Sequence, residues 1–148
     1  MSKKILLLSG PNLSVLGLRE PSIYGKNTLN DYINKVKEKA LDLGMEADSF
    51  QSDSEGDLVT TVLNAKDKYN GIIINAGALT HYSYSLLDAL SYFKGPIIEL
   101  HISNPLGREP HRHKSVIASR VNGTIAGFGL YGYELSVIAI SNLLESND

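Results

Sequence analysis

A glutamate and a histidine, Glu99 and His101, lie two residues apart in the segment PIIELH. The apolar run before them predicts a buried strand, and residues two apart on a strand point to the same face. A carboxylate beside an imidazole fixes the ring tautomer and makes the imidazolium a better general acid. Because a glutamate in a buried strand is uncommon without a partner, we interpret the pair as an acid catalyst rather than as the border of a sheet.

A second pair suited to chemistry, Arg19 and Tyr24, lies in the long segment SGPNLSVLGLREPSIYG, residues 9–25. An ordinary tyrosine is about 0.1% ionised at pH 7, so a tyrosine base needs about 4 kcal/mol of phenolate stabilisation. One cation about 4 Å away in a partly screened site supplies energy of that order. Arg19 could be this cation. Packing remains the alternative role for Tyr24, because the chain has eight tyrosines.

Two further patterns suggest cofactors but have simpler explanations. The segment GFGLYG, residues 127–132, matches the dinucleotide pattern G-x-G-x-x-G, but no acidic ribose ligand can follow it at the usual distance of about 20 residues. We expect a tight turn between a strand and a helix instead. His111 and His113 form an H-x-H pattern, which is weak without cysteines, so we expect solvated loop residues and no metal site.

The elements that must position these residues alternate between strand and helix lengths five times. Strands are predicted at residues 4–8, 45–51, 71–75, 96–100 and 123–128, and helices after the capping residues Thr28 and Ser54, around residues 83–93 and at 131–145. One short helical turn is expected after the polar stretch 101–115. This pattern predicts a single catalytic α/β domain over residues 1–148: a flavodoxin-like three-layer α/β/α fold with a five-stranded parallel sheet of order 2-1-3-4-5.

Polar residues follow several of the predicted strands. Asn12 comes after the first strand, Asn75 ends the third with His81 just beyond, and His101 ends the fourth with Arg112 in the next loop. In this fold, functional groups gather at the carboxyl ends of the strands, near the switch point between the first and third. We therefore expect these scattered residues to converge on one site.

Composition limits the classes of function. The chain has 148 residues, 43% of them hydrophobic, a formal net charge of −2 and no cysteine. These values give no basic surface for nucleic acid, no thiolate nucleophile and no disulfide framework, and the apolar runs are too short for a membrane span. We expect a cytoplasmic globular protein that binds neither nucleic acid nor membrane.

Several separate motifs occur in order along the chain: GPNL, LREPSIYG, INAGALTHYS, IELHISN, REPHRHKS and AGFGLYGYEL. Together they resemble those of the type II 3-dehydroquinate dehydratases over essentially the whole length. The resemblance implies a shikimate-pathway enzyme that needs no cofactor. Its reaction would be the anti elimination of water from 3-dehydroquinate, through an enolate, to 3-dehydroshikimate.

The resemblance also implies a role for each catalytic residue. Tyr24 would remove the C2 proton, and Arg19 would make its phenol a better base. His101 would protonate the departing C1 hydroxyl, oriented by Glu99. Asn12 would help to hold a water that stabilises the enolate oxygen.

Substrate binding is implied for further residues in the same way. Asn75, with the backbone around Ile102 and Ser103, would take the substrate carboxylate. Arg112 and His81 would bind the ring hydroxyls.

The implied partners are the substrate 3-dehydroquinate and further copies of the chain. The family typically forms dodecamers built from trimers, and Asp88 matches a residue that reaches the neighbouring subunit's site. Ser9 and Ser14 stand where the family commonly has asparagines. Two alternatives remain open: a catalytically silent scaffold with an altered first loop, and a flavodoxin-like module that binds a phosphate or nucleotide at helix N-termini.

Overall fold

Apolar runs of strand length form a parallel sheet in the computed structural model, which describes residues 2–146. Its strands are β1 (Lys3–Ser9), β2 (Met45–Gln51), β3 (Gly71–Asn75), β4 (Ile97–His101) and β5 (Gly123–Ala126). They are hydrogen-bonded in the order β2-β1-β3-β4-β5, and every pair is parallel. The predicted α/β class and strand order are confirmed.

Helices cover both faces of this sheet. They are α1 (Pro21–Tyr24), α2 (Leu29–Asp42), α3 (Glu55–Asn64), α4 (Tyr84–Tyr92) and α5 (Gly129–Ser146). Helices α2 and α5 pack together on one face, and α3 and α4 on the other. No helix within the described residues is long and apolar enough to cross a membrane.

The alternation of side chains along β1 divides the core into two layers. Ile5 and Leu7 pack under α2 and α5, whereas Leu6 and Leu8 pack under α3 and α4. All four are at most 2% exposed, as expected for a central parallel strand covered on both faces. The sheet is therefore a rigid base for the loops at its carboxyl edge.

Side-chain caps fix the starts of the helices. Thr28 and Asp31 form a capping box at α2, and the Ser54 hydroxyl accepts the Asp57 N–H at α3. Both predicted caps are confirmed. At the other end of α2, Gly44 has a φ of 76°, a left-handed conformation that favours glycine and stops the helix.

Some predicted boundaries differ from those observed. Strand β4 begins and ends one residue later than predicted, because Pro96 has no N–H to donate and His101 still pairs with Ala126 of β5. Helix α5 begins two residues early, at Gly129. The turn predicted after the polar stretch is present, since the N–H groups of Arg120 and Val121 donate to the Ile117 carbonyl.

Two loops have more local structure than predicted. The long first loop contains a 3-10 turn at Leu13–Val15 and the short helix α1, and the polar stretch after β4 contains 3-10 turns at Pro105–Gly107 and Pro110–Arg112. The two turns after β4 each begin at a proline, whose fixed φ suits the first position of a turn. The two loops are thus shaped enough to hold side chains over the sheet edge.

Candidate active site

A cavity lies at the carboxyl ends of β1, β3 and β4, where the fold predicts the site. It brings together nine of the residues singled out in the sequence: Asn12, Arg19, Tyr24, Asn75, His81, His101, Ile102, Ser103 and Arg112. Glu99 does not line this cavity but contacts His101 from behind. Asp88 is exposed on α4 and is not brought to the cavity.

The Glu99–His101 pair on β4 is joined by a short hydrogen bond. His101 Nε2 lies 2.6 Å from Glu99 Oε2, and the two side chains are 11% and 2% exposed. An ionised carboxylate can only accept, so the Nε2 atom carries the proton of this bond. The other ring nitrogen, Nδ1, is left for the cavity, and the predicted contact within the pair is confirmed.

Two arginines flank the Tyr24 ring. The Arg19 guanidinium carbon lies 4.9 Å from the ring centroid and that of Arg108 lies 5.0 Å away. The Tyr32 hydroxyl donates to the Tyr24 carbonyl at 3.1 Å, which holds the end of α1 on the core. Arg108 was missed in the sequence, although the segment REPHRHKS contains it.

Arg108 is held by residues on its own loop. Its Nη1 donates to Ser103 Oγ at 3.2 Å, and His113 Nε2 lies 2.8 Å from its carbonyl oxygen. His113 is exposed, as predicted for a solvated residue, but this bond gives it a structural contact that the prediction lacked. Its neighbour Arg112 donates from Nε to Glu109 Oε1 at 3.1 Å, so that glutamate orients the second arginine of the loop.

The amide of Asn75 is oriented by two hydrogen bonds. Its Nδ2 donates to the Tyr133 hydroxyl at 3.2 Å, and its Oδ1 accepts the Gly77 N–H at 3.2 Å. Burial raises the pKa of Tyr133, so its hydroxyl stays neutral and can accept this bond. Tyr133 lies on α5, packed against Tyr32, and no local sequence pattern marks its contact with Asn75.

Asn12 is held in a left-handed backbone conformation, with φ 71° and ψ −2°. Its N–H donates to Asp53 Oδ1 at 2.9 Å, and the same oxygen accepts from Gln51 Nε2 at 3.1 Å. Such conformations are uncommon for residues other than glycine and often occur at functional sites. Asp53 thus fixes the loop that carries Asn12, a role the sequence did not suggest.

The start of the same loop carries a buried hydroxyl. Ser9 is 1% exposed, and within residues 2–146 its Oγ has no hydrogen-bond partner. Backbone hydrogen bonds nevertheless hold the start of this loop in place. The Ser52 N–H donates to the Ser9 carbonyl, and the Gly10 N–H donates to the Asn75 carbonyl. The serine is therefore accommodated without its side chain taking part in the site.

His81 projects from the turn after β3. Its Nδ1 lies 2.7 Å from the Lys114 carbonyl oxygen, so Nδ1 carries a proton and Nε2 of the neutral ring is an acceptor. The His111 ring lies edge-on, with centroids 6.4 Å apart. In the part of the chain that the structure describes, no three His, Cys, Asp or Glu side chains are grouped to hold a metal ion.

The glycines of GFGLYG form a tight turn, and this prediction is confirmed. Gly127 has a φ of 94°, and a Cβ on Gly132 would lie 3.4 Å from Leu100 Cδ1. The N–H groups of Gly127 and Gly129 donate to the carbonyls of His101 and Ile102. The motif therefore holds the backbone of the site.

Comparison with known proteins gives a consistent result. The family model "Dehydroquinase class II" matches residues 3–141. The chain is 47% identical over 143 residues to 3-dehydroquinate dehydratases of Bacillus cereus (strain AH187) and Bacillus anthracis (strain CDC 684), covering 97% of this chain and 98% of each relative.

Solved structures agree with the sequence comparison. The type II dehydroquinase of Propionibacterium acnes superposes with a TM-score of 0.91 at 44% identity, over 96% of this chain and 98% of that one. That of Butyrivibrio crossotus gives 0.90 at 40% identity, over 95% and 98%. A 3-dehydroquinate dehydratase-like protein of Bifidobacterium longum gives 0.73 at 32% identity, over 97% and 98%.

Proposed function

The chain belongs to the class II dehydroquinase family, and from that membership we propose how its residues carry out the reaction. Its activity is that of a 3-dehydroquinate dehydratase, a hydro-lyase of the shikimate pathway. The reaction removes water from 3-dehydroquinate and leaves 3-dehydroshikimate. Chemically it needs a base for the carbon acid, stabilisation of the enolate and an acid for the departing hydroxyl.

Tyr24 is the base in this proposal. Its phenolate takes the C2 proton, and the electron pair of the broken C–H bond moves into the enolate. The guanidiniums of Arg19 and Arg108 lie 4.9 and 5.0 Å from the ring centroid, close enough for their positive charges to act on this ring during proton transfer. Asn12, held by Asp53, helps to position a water at the enolate oxygen.

His101 is the acid. When the enolate collapses, the C1–O bond breaks and Nδ1 of the imidazolium gives its proton to the hydroxyl, which leaves as water. Glu99, bonded to Nε2 at 2.6 Å, orients the ring and stabilises its positive charge. The cycle closes when Tyr24 loses its proton and His101 regains one.

The remaining cavity residues bind the substrate. The oriented amide of Asn75 and the backbone of Ile102 and Ser103, fixed by the glycine turn before α5, take the carboxylate. The Nε2 acceptor of His81 and the guanidinium of Arg112 take the ring hydroxyls. Asn75, His81 and Arg112 are each held by a hydrogen bond within the protein. These side chains therefore lose little conformational entropy when the substrate binds.

One observation carries this assignment: a tyrosine beside two guanidiniums borders the same cavity as His101, whose imidazole is hydrogen-bonded to the Glu99 carboxylate behind it. A phosphate-binding module would need neither pair. The test is incubation with 3-dehydroquinate while the absorbance of the enone product is followed. We expect the enone to form, equally with a chelator present, and borohydride with substrate should leave the enzyme active because no lysine Schiff base forms. No enone at any protein concentration would rule the assignment out.

We also propose that residues 1–148 form one cytoplasmic catalytic domain and that twelve copies assemble as a tetramer of trimers. Asp88 is exposed on α4 and lies outside its own cavity, which suits a residue that completes a neighbour's site. Light scattering during size-exclusion chromatography measures the assembly. A monomer that turns over at the full rate would contradict a shared site.

A further inference from the structure

Two consecutive residues of the loop after the 3-10 turns hold different parts of the site. The Lys114 carbonyl accepts the hydrogen bond from His81 Nδ1 at 2.7 Å. The next side chain, Ser115, donates from Oγ to Glu99 Oε1 at 2.8 Å. One short segment thus contacts both the turn that carries the binding histidine and the strand that carries the acid pair.

The Ser115 contact completes the hydrogen bonding of a buried carboxylate. Glu99 is 2% exposed, and its Oε2 is bonded to His101 Nε2 at 2.6 Å. Among the described residues Ser115 is the donor to Oε1, and a buried ionised oxygen left without a donor is costly. A carboxylate with a donor on each oxygen also has its plane fixed. The direction of the His101 ring therefore depends on Ser115 through Glu99.

The backbone around Ser115 is anchored well enough to serve this purpose. The Val116 N–H donates to the Thr80 carbonyl at 2.8 Å. Val116 and Ile117 are 7% and 0% exposed and belong to the core under α3 and α4. Because this backbone is fixed, the Ser115 hydroxyl loses little conformational entropy when it donates to Glu99. The direction of that hydrogen bond is therefore set before the substrate binds.

We propose that Ser115 is a positioning residue for the general acid, an inference that rests on the function proposed for His101. The hydroxyl fixes the Glu99 carboxylate in rotation. Glu99 in turn holds the Nε2–H of His101, and Nδ1 is thereby aimed at the departing hydroxyl. Ser115 itself touches neither substrate nor reacting atoms. Its removal impairs proton delivery while substrate binding is retained.

The test compares Ser115→Ala, Ser115→Thr and the control Ser119→Ala, an exposed serine four residues along the same loop. We expect Ser115→Ala to lower kcat by about tenfold or more, because hydrogen bonds to charged groups are among the stronger ones. KM should change by less than about twofold, since binding groups are untouched. Ser115→Thr, which keeps the hydroxyl, should recover most of kcat. A wild-type kcat in Ser115→Ala, or an equal loss in both Ser115 variants, overturns the proposal.

A spectroscopic readout separates this inference from the proposed reaction. In protein labelled with 15N-histidine, the His101 Nε2 proton in its short bond to Glu99 should resonate far downfield, assigned by its loss in His101→Asn. We expect Ser115→Ala to shift or broaden this signal and Ser119→Ala to leave it in place. An unchanged signal overturns the role of Ser115 whether or not the protein is active. Wild-type protein that leaves 3-dehydroquinate unconverted counts instead against the proposed function.

Discussion

The guanidinium carbon of Arg108 lies 5.0 Å from the centroid of the Tyr24 ring, almost the same distance as that of Arg19 at 4.9 Å. The two arginines come from different loops, Arg19 before α1 and Arg108 after β4. Two cations that depend on different parts of the fold therefore lie beside the ring that we propose carries the base. One cation near the phenol oxygen already supplies stabilisation of the order that a tyrosine base needs, and the second arginine would add to it.

Replacement of Arg108 tests this sharing of charge. We expect Arg108→Gln to lower kcat by about 10- to 100-fold, since a partly desolvated cation beside the ring contributes roughly 1–2 kcal/mol or more. Arg108→Lys should retain part of the rate because the charge remains. Lys26→Gln is the control, since it removes an exposed charge two residues after Tyr24. Equal rates in wild type and Arg108→Gln would leave Arg19 as the sole cation that matters.

The hydroxyl of Tyr24 is expected to be essential for turnover but not for binding. Tyr24→Phe keeps the ring beside Arg19 and Arg108 and removes only the hydroxyl that we propose takes the proton. We expect turnover to disappear while calorimetry still detects binding of the substrate. Undiminished turnover in this variant would move the base to another residue. Loss of binding as well as turnover would mean that the hydroxyl orients the substrate.

The sequence predicts the elements and the paired residues whose spacing is local. Strands β2 and β3 begin and end at the predicted residues, and Glu99 and His101 meet because two residues apart on a strand share a face. Thr28 caps α2 as its type and position indicate. In each case the physical cause lies within a few residues of chain.

The parts of the site that the sequence does not predict depend on contacts between segments far apart in the chain. Tyr133 lies 58 residues from Asn75, and Asp53 lies 41 residues from Asn12. No local pattern marks either contact, because each depends on how a helix or loop packs on the finished sheet. Arg108 was missed for a related reason, since its position over Tyr24 needs two loops to be folded at once.

Two buried serines should respond differently to loss of the hydroxyl. Ser83 accepts the Leu86 N–H at the start of α4 and donates to Glu55, so Ser83→Ala should lower the free energy of unfolding by about 1–2 kcal/mol. Ser9 Oγ has no hydrogen-bond partner within residues 2–146, so Ser9→Ala should change the free energy of unfolding by less than about 0.5 kcal/mol. Urea unfolding of both variants checks this. A large loss in Ser9→Ala would show that its hydroxyl does make a contact that matters.

A cluster on β1, β2 and the turn before β3 should make stability depend on pH. The Tyr69 hydroxyl donates to Asp48 Oδ2 at 2.6 Å, and Lys4 Nζ lies 3.1 Å from the same oxygen. The bond from Tyr69, with the nearby Lys4, holds the pKa of the Asp48 carboxyl below its usual value. Burial and this bond raise the pKa of Tyr69 to about 12, so its hydroxyl remains a donor throughout the neutral range.

Asp48→Asn should therefore be less stable than wild type near neutrality but equally stable in acid. A group whose native pKa is lowered stabilises the fold above its unfolded pKa, about 3.9 for aspartate, and that contribution is lost as pH falls through the native value. The difference at pH 7 should be about 1 kcal/mol or less, because the Asp48 and Lys4 side chains are 46% and 41% exposed and solvent screens the pair. Urea unfolding at pH 7 and at successive lower values measures it, with exposed Asp67→Asn as the control. A gap that persists or widens in acid would show that Asp48 stabilises the fold by its shape and not by its charge.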